Sequence, residues 1–161
     1  MPSKPTPRVA ADSGVVLDDT SRRIIEALQE DGRTSYAALA KICGLSEGAV
    51  RTRVQRLLEA EIMQIVAVTD PTQVGFRRQA MIGVRTTGDV ASVGDRVADM
   101  REVDYVVTTA GSFDLLAEVV CEDDDDLLDV VSAIRHVEGV LSTETFVYLK
   151  LNKQHYNWGT R

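Results

Sequence analysis

The chain has 161 residues, enough for one domain or two small ones, and its 44% hydrophobic and 27% charged content is an ordinary globular balance. Its apolar runs are too short to span a bilayer, and its N-terminus lacks the apolar stretch of a secretory signal. Two cysteines in apolar patterns, Cys43 and Cys121, fit a reduced cytoplasmic protein with inert thiols, and the net charge of −7 excludes a uniformly basic surface.

Residues 1–16 begin MPSKPTPRVAADSG, with three prolines and no apolar periodicity, and read as a disordered tail whose Lys4 and Arg8 are solvated rather than DNA-bound. Residues 17–64 read as a helical domain. In LDDTSRRIIEALQEDGR, Asp18 or Asp19 caps a first helix, Ile24, Ile25 and Leu28 form its buried stripe, and Gly32 stops it. The stretch SYAALAKICGLSEGAVRTRVQRLL then predicts two short helices joined by a tight turn. Ser35 caps the first, with Leu39, Ala40, Ile42 and Cys43 as its apolar face. Gly44 supplies the left-handed turn, Ser46 caps the second helix, and Val50, Val54, Leu57 and Leu58 face inward. The outer face of that second helix carries Glu47, Gly48, Arg51, Thr52 and Gln55, flanked by Arg53 and Arg56. Helix, glycine turn and a second helix with an arginine-bearing face describe a helix-turn-helix, whose second helix enters the DNA major groove. Residues 33–56 hold five basic side chains against one acidic, a local charge of +4, whereas residues 72–161 hold nine basic against fifteen acidic. Phosphate binding is therefore confined to the first domain and is salt-sensitive.

Residues 65–78 read as a linker: a short β-prone strand, IVAVT, broken by Asp70-Pro71, and a hinge. Residues 79–152 alternate strand and helix: strands at 79–85, 103–110, 115–121 and 140–151, and helices at 89–100 and 124–136 with Leu127, Leu128, Val130, Val131 and Ile134 inward. The order βαββαβ is ferredoxin-like, so the fold class is α+β, a winged-type helix-turn-helix domain followed by this second domain. Both faces of its sheet offer apolar residues and its two helices cover one, which predicts a homodimer through the other. Residues 153–161, with Trp158, form a tail that docks on a neighbouring subunit or folds back on its own domain.

This organisation, carried by residues 17–63 and by TAGSFDLLAEV, resembles the Lrp/AsnC (leucine-responsive, feast/famine) bacterial transcription regulators. The resemblance implies a C-terminal domain that forms dimers and larger disc-like assemblies, an octamer among them, and that binds amino acids at subunit contacts. It also implies DNA contacts. Ser46, Glu47, Gly48, Arg51, Thr52 and Gln55 lie near base edges, where arginine suits guanine, glutamine adenine and glutamate cytosine. Arg53 and Arg56 touch phosphates or tie the helix to its neighbours, with the structural role favoured for Arg53, and Ser35 reaches a phosphate or simply caps. Gly48 costs helix stability, which close approach to DNA or tolerated drift explains equally. Where the family usually has glycine after the recognition helix this chain has Glu61, so that end is expected to be extended or capped differently.

For the effector the resemblance points to a Gly-x-x-Asp turn, matched by Gly111 and Asp114, with Thr108, Ser112 and Phe113 beside it and Tyr105 and Thr145 as weaker candidates. Free backbone N–H groups beside a carboxylate suit the two charged ends of an amino acid, although a Gly-Ser-Phe-Asp hairpin turn requires no ligand. No cofactor or metal is expected: the acidic run at 122–126 lacks Ca²⁺-loop spacing, and His136 and His155 have no partner at ligand spacing. Two other classes remain open. A ferredoxin-like dimeric small-molecule-binding protein or enzyme would need, for catalysis, a proton-transfer constellation that the sequence does not offer; an RNA-binding sheet would need the stacked aromatics of such sheets, which these strands lack.

Overall fold

The computed structural model describes residues 17–161, so the expectation of a disordered tail at 1–16 lies outside the described residues. The chain divides into two compact units, one running to Ala67 and including Lys153–Arg161, the other Val68–Asn152.

In the first unit three helices surround one core. Helix α1, Asp19–Glu30, starts where Asp18 accepts from the Ser21 amide at 2.8 Å. Helix α2, Tyr36–Cys43, starts at Ser35, whose hydroxyl accepts from the Ala38 amide; α3, Glu47–Glu59, starts at Ser46, which accepts from the Ala49 amide. Each cap satisfies an amide that a helix's first turn leaves without a partner. Gly44 sits at φ +68 between α2 and α3, and the Leu45 amide reaches back to the Ala40 carbonyl at 3.0 Å. Ile24, Ile25, Leu39, Ala40, Val50, Val54 and Leu57 close the core.

Four expectations need correction here. Ile42 is 42% exposed, because the inward stripe of α2 runs through Leu39, Ala40 and Cys43 and position 42 lies a turn-angle outside it. Helix α1 ends at Asp31, which is extended, and Gly32 is not left-handed. Residues 65–69 form no strand, since a strand persists only with a ladder partner and none lies beside them in the chain. Among the described residues the first unit therefore holds no strand and no wing.

The end of α3 is unusual. Glu61 adopts φ +54, the Glu61 amide donates to Leu58 and the Ile62 amide to Leu57, at 3.1 and 3.0 Å. That is the left-handed closure a glycine normally makes, here carried by a glutamate whose Cβ crowds its own carbonyl. Glu61→Gly is expected to raise stability by about 0.5–1 kcal/mol, the relief of left-handed strain being partly offset by glycine's freer unfolded state. A higher urea midpoint at unchanged slope is the measurement.

The second unit is a four-stranded antiparallel sheet ordered β2-β3-β1-β4, with β1 Arg78–Thr86, β2 Val103–Thr108, β3 Leu115–Cys121 and β4 Val140–Val147. Helices α4, Val90–Ala98, and α5, Asp124–Arg135, supply Val93, Val97, Leu127, Val130, Val131 and Ile134 to a core shared with one sheet face. The alternation of β3, buried at Leu115, Ala117, Val119 and Cys121, fixes which face that is. Leu128 is 60% exposed, outside the stripe at 127, 130, 131 and 134, and β4 stops at Val147, leaving Leu149 and Leu151 exposed. The acidic run caps and anchors α5: Asp123 accepts from the Asp126 amide at 2.9 Å, and Asp124 pairs with the Arg78 guanidinium. Burial pushes the Cys121 thiol up to about 11, which keeps it protonated and inert.

The other sheet face carries Met81, Gly83, Arg85, Leu116, Glu118, Val120, Tyr105 and Phe146 by strand alternation. Its two central strands, β1 and β3, contain no aromatic residue; Tyr105 and Phe146 stand on the edge strands. Burial, and next the nearby Glu118, raise the Tyr148 phenol to about 12.

Candidate DNA-binding face and effector loop

Helix α3 presents Glu47, Gly48, Arg51, Thr52, Gln55 and Arg56 to solvent, next to the exposed caps Ser35 and Ser46. Arg51 is the best-positioned cation of the group. Its guanidinium lies 4.9 Å from the centroid of the Tyr36 ring, with Nη2 3.5 Å from the Glu47 carboxylate, a long contact that leaves most of the donors free. Tyr36 comes from the first turn of α2 and had no signal in the sequence, since its partner lies fifteen positions away. The Thr52 hydroxyl donates to the Gly48 carbonyl at 3.1 Å, and Gln55 donates to Glu59 at 2.9 Å, so both face outward but each is held by its own helix. Arg56 has no side-chain partner among the described residues. A side chain at Gly48 would meet nothing within 4 Å, so packing inside the protein does not require glycine there.

Arg53 is engaged elsewhere. It is half-buried and bonds Asp18 at 2.6 Å, tying α3 to the start of α1. The Ser21 amide and hydroxyl, and then Arg53, hold the Asp18 carboxyl down to about 2 from the usual 3.8. A depressed carboxyl contributes stability that is present above 3.8 and lost as pH falls through about 2. Asp18→Asn keeps the cap but not the charge, so its acid unfolding curve should be shallower across that window than the native curve.

In the second unit, residues 109–114 form a loop pinned to β1. The Asp114 amide donates to the Val84 carbonyl at 2.9 Å, and the Asp114 carboxylate accepts from the Thr86 amide at 2.7 Å and hydroxyl at 3.2 Å. The Thr109 amide closes the loop on the Asp114 carbonyl at 2.9 Å. Phe113 lies flat over Gly83, where an added Cβ would stand 2.7 Å from three ring atoms, and is framed by Phe146 at 6.0 Å and by the Arg85 guanidinium at 5.5 Å. Gly111 and Ser112 are exposed at the tip, and their amides have no hydrogen-bond partner among the described residues. One carboxylate oxygen of Asp114 is thus committed to the fold, while the tip keeps free donors.

Of the remaining candidates only Thr108 adjoins the loop within one chain, as the last residue of β2 and in register with Leu115. Tyr105 and Thr108 lie on β2 and Thr145 on β4, the two opposite edges of the sheet, so about 14 Å of sheet separates them. Tyr105 also faces the open side, whereas Thr145, in register with buried Ile82, faces the helices. Residues that the sequence did not point to, Gly83, Arg85, Thr86 and Phe146, are those that set the loop's shape. Among the described residues no three His, Cys, Asp or Glu side chains gather to hold a metal ion, and no helix is long and apolar enough to cross a membrane.

Known proteins share this arrangement. The AsnC-type helix-turn-helix family model matches residues 17–58, and the Lrp/AsnC ligand-binding domain model matches residues 79–158. The chain is 30% identical to the regulatory protein AsnC of Escherichia coli over 84% of its own length and 91% of that protein's. It is 29% identical to the HTH-type transcriptional regulator FL11 of Pyrococcus furiosus over 86% of its length and 93% of that protein's. The structure of a Neisseria meningitidis transcriptional regulator in complex with L-Met superposes with a TM-score of 0.75 at 26% identity, covering 88% of this chain and 96% of that one. An AsnC-type reading head joined to a ligand-binding domain, matched along most of the chain, makes this protein a member of the Lrp/AsnC family of helix-turn-helix transcription regulators.

Proposed function

We propose that this regulator reads duplex DNA through the free face of α3 and is switched by an amino acid held at the loop 109–114, working as a homodimer joined through the open sheet face. The observation that carries the reading is Arg51, an exposed arginine stacked on Tyr36 in the middle of an otherwise polar, unobstructed helix face. A guanidinium pre-set in this way loses little freedom on meeting a guanine edge. Gly48 supports the same reading: its backbone is open to approach and no packing within the unit accounts for the missing side chain.

At the loop, the unpaired Gly111 and Ser112 amides suit a carboxylate, and the free oxygen of Asp114 suits an ammonium group. The family neighbour solved with L-Met supports an amino acid as the effector class. Thr145 stands on the opposite edge of the sheet from Tyr105 and Thr108, which supports a site completed by an edge of a second copy. The apolar open face, with Met81, Leu116, Val120 and Phe146, is the surface a second copy would cover. Amino-acid binding at such contacts shifts the population of pair geometries and with it the spacing of the two reading heads. An RNA-binding sheet is disfavoured by the aromatic-free central strands and by Glu118 among them, which repels phosphate.

Selection of bound genomic fragments, with and without a pool of the twenty amino acids, tests the proposal. The expected outcome is footprints of paired half-sites centred about one helical turn or a multiple apart, with occupancy altered by the pool. Protection without that phasing overturns the paired reading, and indifference to every amino acid overturns the effector reading.

A further inference from the structure

The chain passes from the first unit to the second after Ala67, and then returns: Lys153–Arg161 belongs with the helix-turn-helix unit and not with the sheet it follows. The return contact is specific. Arg22, Glu26, Gln29 and Glu30 project from α1 at spacings of four, three and one, on the side away from core residue Ile24. Thr160 donates to Glu26 at 2.6 Å, the Gly159 amide to Gln29 at 3.1 Å and the Asn157 amide group to Glu30 at 3.2 Å. Arg22 donates to the backbone carbonyl of Arg161. Gly159 at φ +74 supplies the bend that brings its amide to Gln29.

The hold is polar. Trp158 is 79% exposed and buries little, and the segment arches over a groove of about 450 Å³ lined by Arg23, Glu26, Gln29, Glu30, Ile42 and Asn157. Hydrogen bonds on a solvated surface are individually weak, and several acting together on one helix face make a contact that holds but can release.

We propose that residues 153–161 are a strap on α1 that gives the reading head a second tether. Its function is to narrow the orientations open to the helix-turn-helix and so set the half-site spacing the protein accepts. A head joined by the first crossing alone is held at one point of the chain. The second crossing, residues 148–152, spans at most about 18 Å when extended, and closing a chain at two points removes much of its freedom. The inference rests on the reading that the protein acts in pairs on duplex DNA.

The test compares the full native chain with the triple variant Glu26→Ala, Gln29→Ala, Glu30→Ala, and with a chain stopped after Asn152. Alanine on the outer side of α1 favours the helix, and the truncation leaves α1 untouched. Trp158 is the sole tryptophan, so its anisotropy decay reports the strap without DNA. The triple variant should show a larger fast component, and an unchanged decay overturns the docking. On duplexes with two selected half-sites, the native chain should prefer whole-turn over half-turn separations by at least about tenfold, and both variants should narrow this to under about threefold. Retention of the full preference by both variants overturns the spacing role. A native chain that binds no duplex overturns the DNA reading and the spacing role together, whereas the anisotropy result still judges the docking by itself.

Discussion

Arg51→Ala should weaken operator binding by about 1–3 kcal/mol, roughly 5- to 150-fold, and relax sequence preference at a single base position of each half-site. The size follows from how Arg51 is presented. Its guanidinium rests on the Tyr36 ring and meets Glu47 only at 3.5 Å, so little has to be broken before it donates to a base edge. The same substitution should leave stability nearly unchanged, because the side chain is 65% exposed. Arg56→Ala is the matched control. With no partner among the described residues, Arg56 suits a phosphate, and its loss should lower affinity evenly across sequences and reduce the salt slope by about 1. Titration of both variants against the selected operator and single-base variants of it separates the two roles. Unchanged affinity for Arg51→Ala would refute its assignment to the bases.

Gly83→Ala should destabilise the second unit by about 1–3 kcal/mol, the usual result of overfilling a packed site. The added methyl would stand 2.7 Å from Phe113 Cγ and both Cδ atoms, at the base of the ring, so a small tilt of the ring tip does not relieve it. Phe113 must leave Gly83, and with it go the edge contact to Phe146 and the stacking of Arg85. The loop's other anchor, Asp114 on Thr86, then works alone. A lowered urea midpoint is the first readout. The second is a loss of the amino-acid response at temperatures where the variant is still folded; a variant with native stability and response would show that the ring is not what shapes the loop.

What could be read from the chain depended on how local the cause was. Asp18, Ser35 and Ser46 cap their helices through amides three positions on, and β3 follows from a seven-residue alternation, so both were legible. Ile42 and Leu128 were assigned inward because they are apolar and adjoin buried neighbours, but one residue on a helix turns about 100° and carries each out of its stripe. Residues 65–69 were β-prone without a partner, which composition does not reveal. The candidate effector loop was singled out by its glycine and aspartate, yet its supports are distant: Thr86 lies twenty-eight positions from Asp114, and Gly83 on β1 meets Phe113. The structural role favoured for Arg53 holds, but its partner Asp18, thirty-five positions away, was not legible from the chain. The return of the tail to α1 is the longest-range feature, joining Arg22 to Arg161 across 139 positions, and the sequence left its docking open.

The flat seat of Phe113 on Gly83 also makes the two positions interdependent over evolutionary time. A lineage that acquires a side chain at 83 carries the cost of a displaced ring until position 113 changes too, because a Cβ there stands 2.7 Å from the ring where it now lies. Among relatives, therefore, bulk at these two places should trade off, and a regulator with a small residue at 113 should carry a re-shaped loop there.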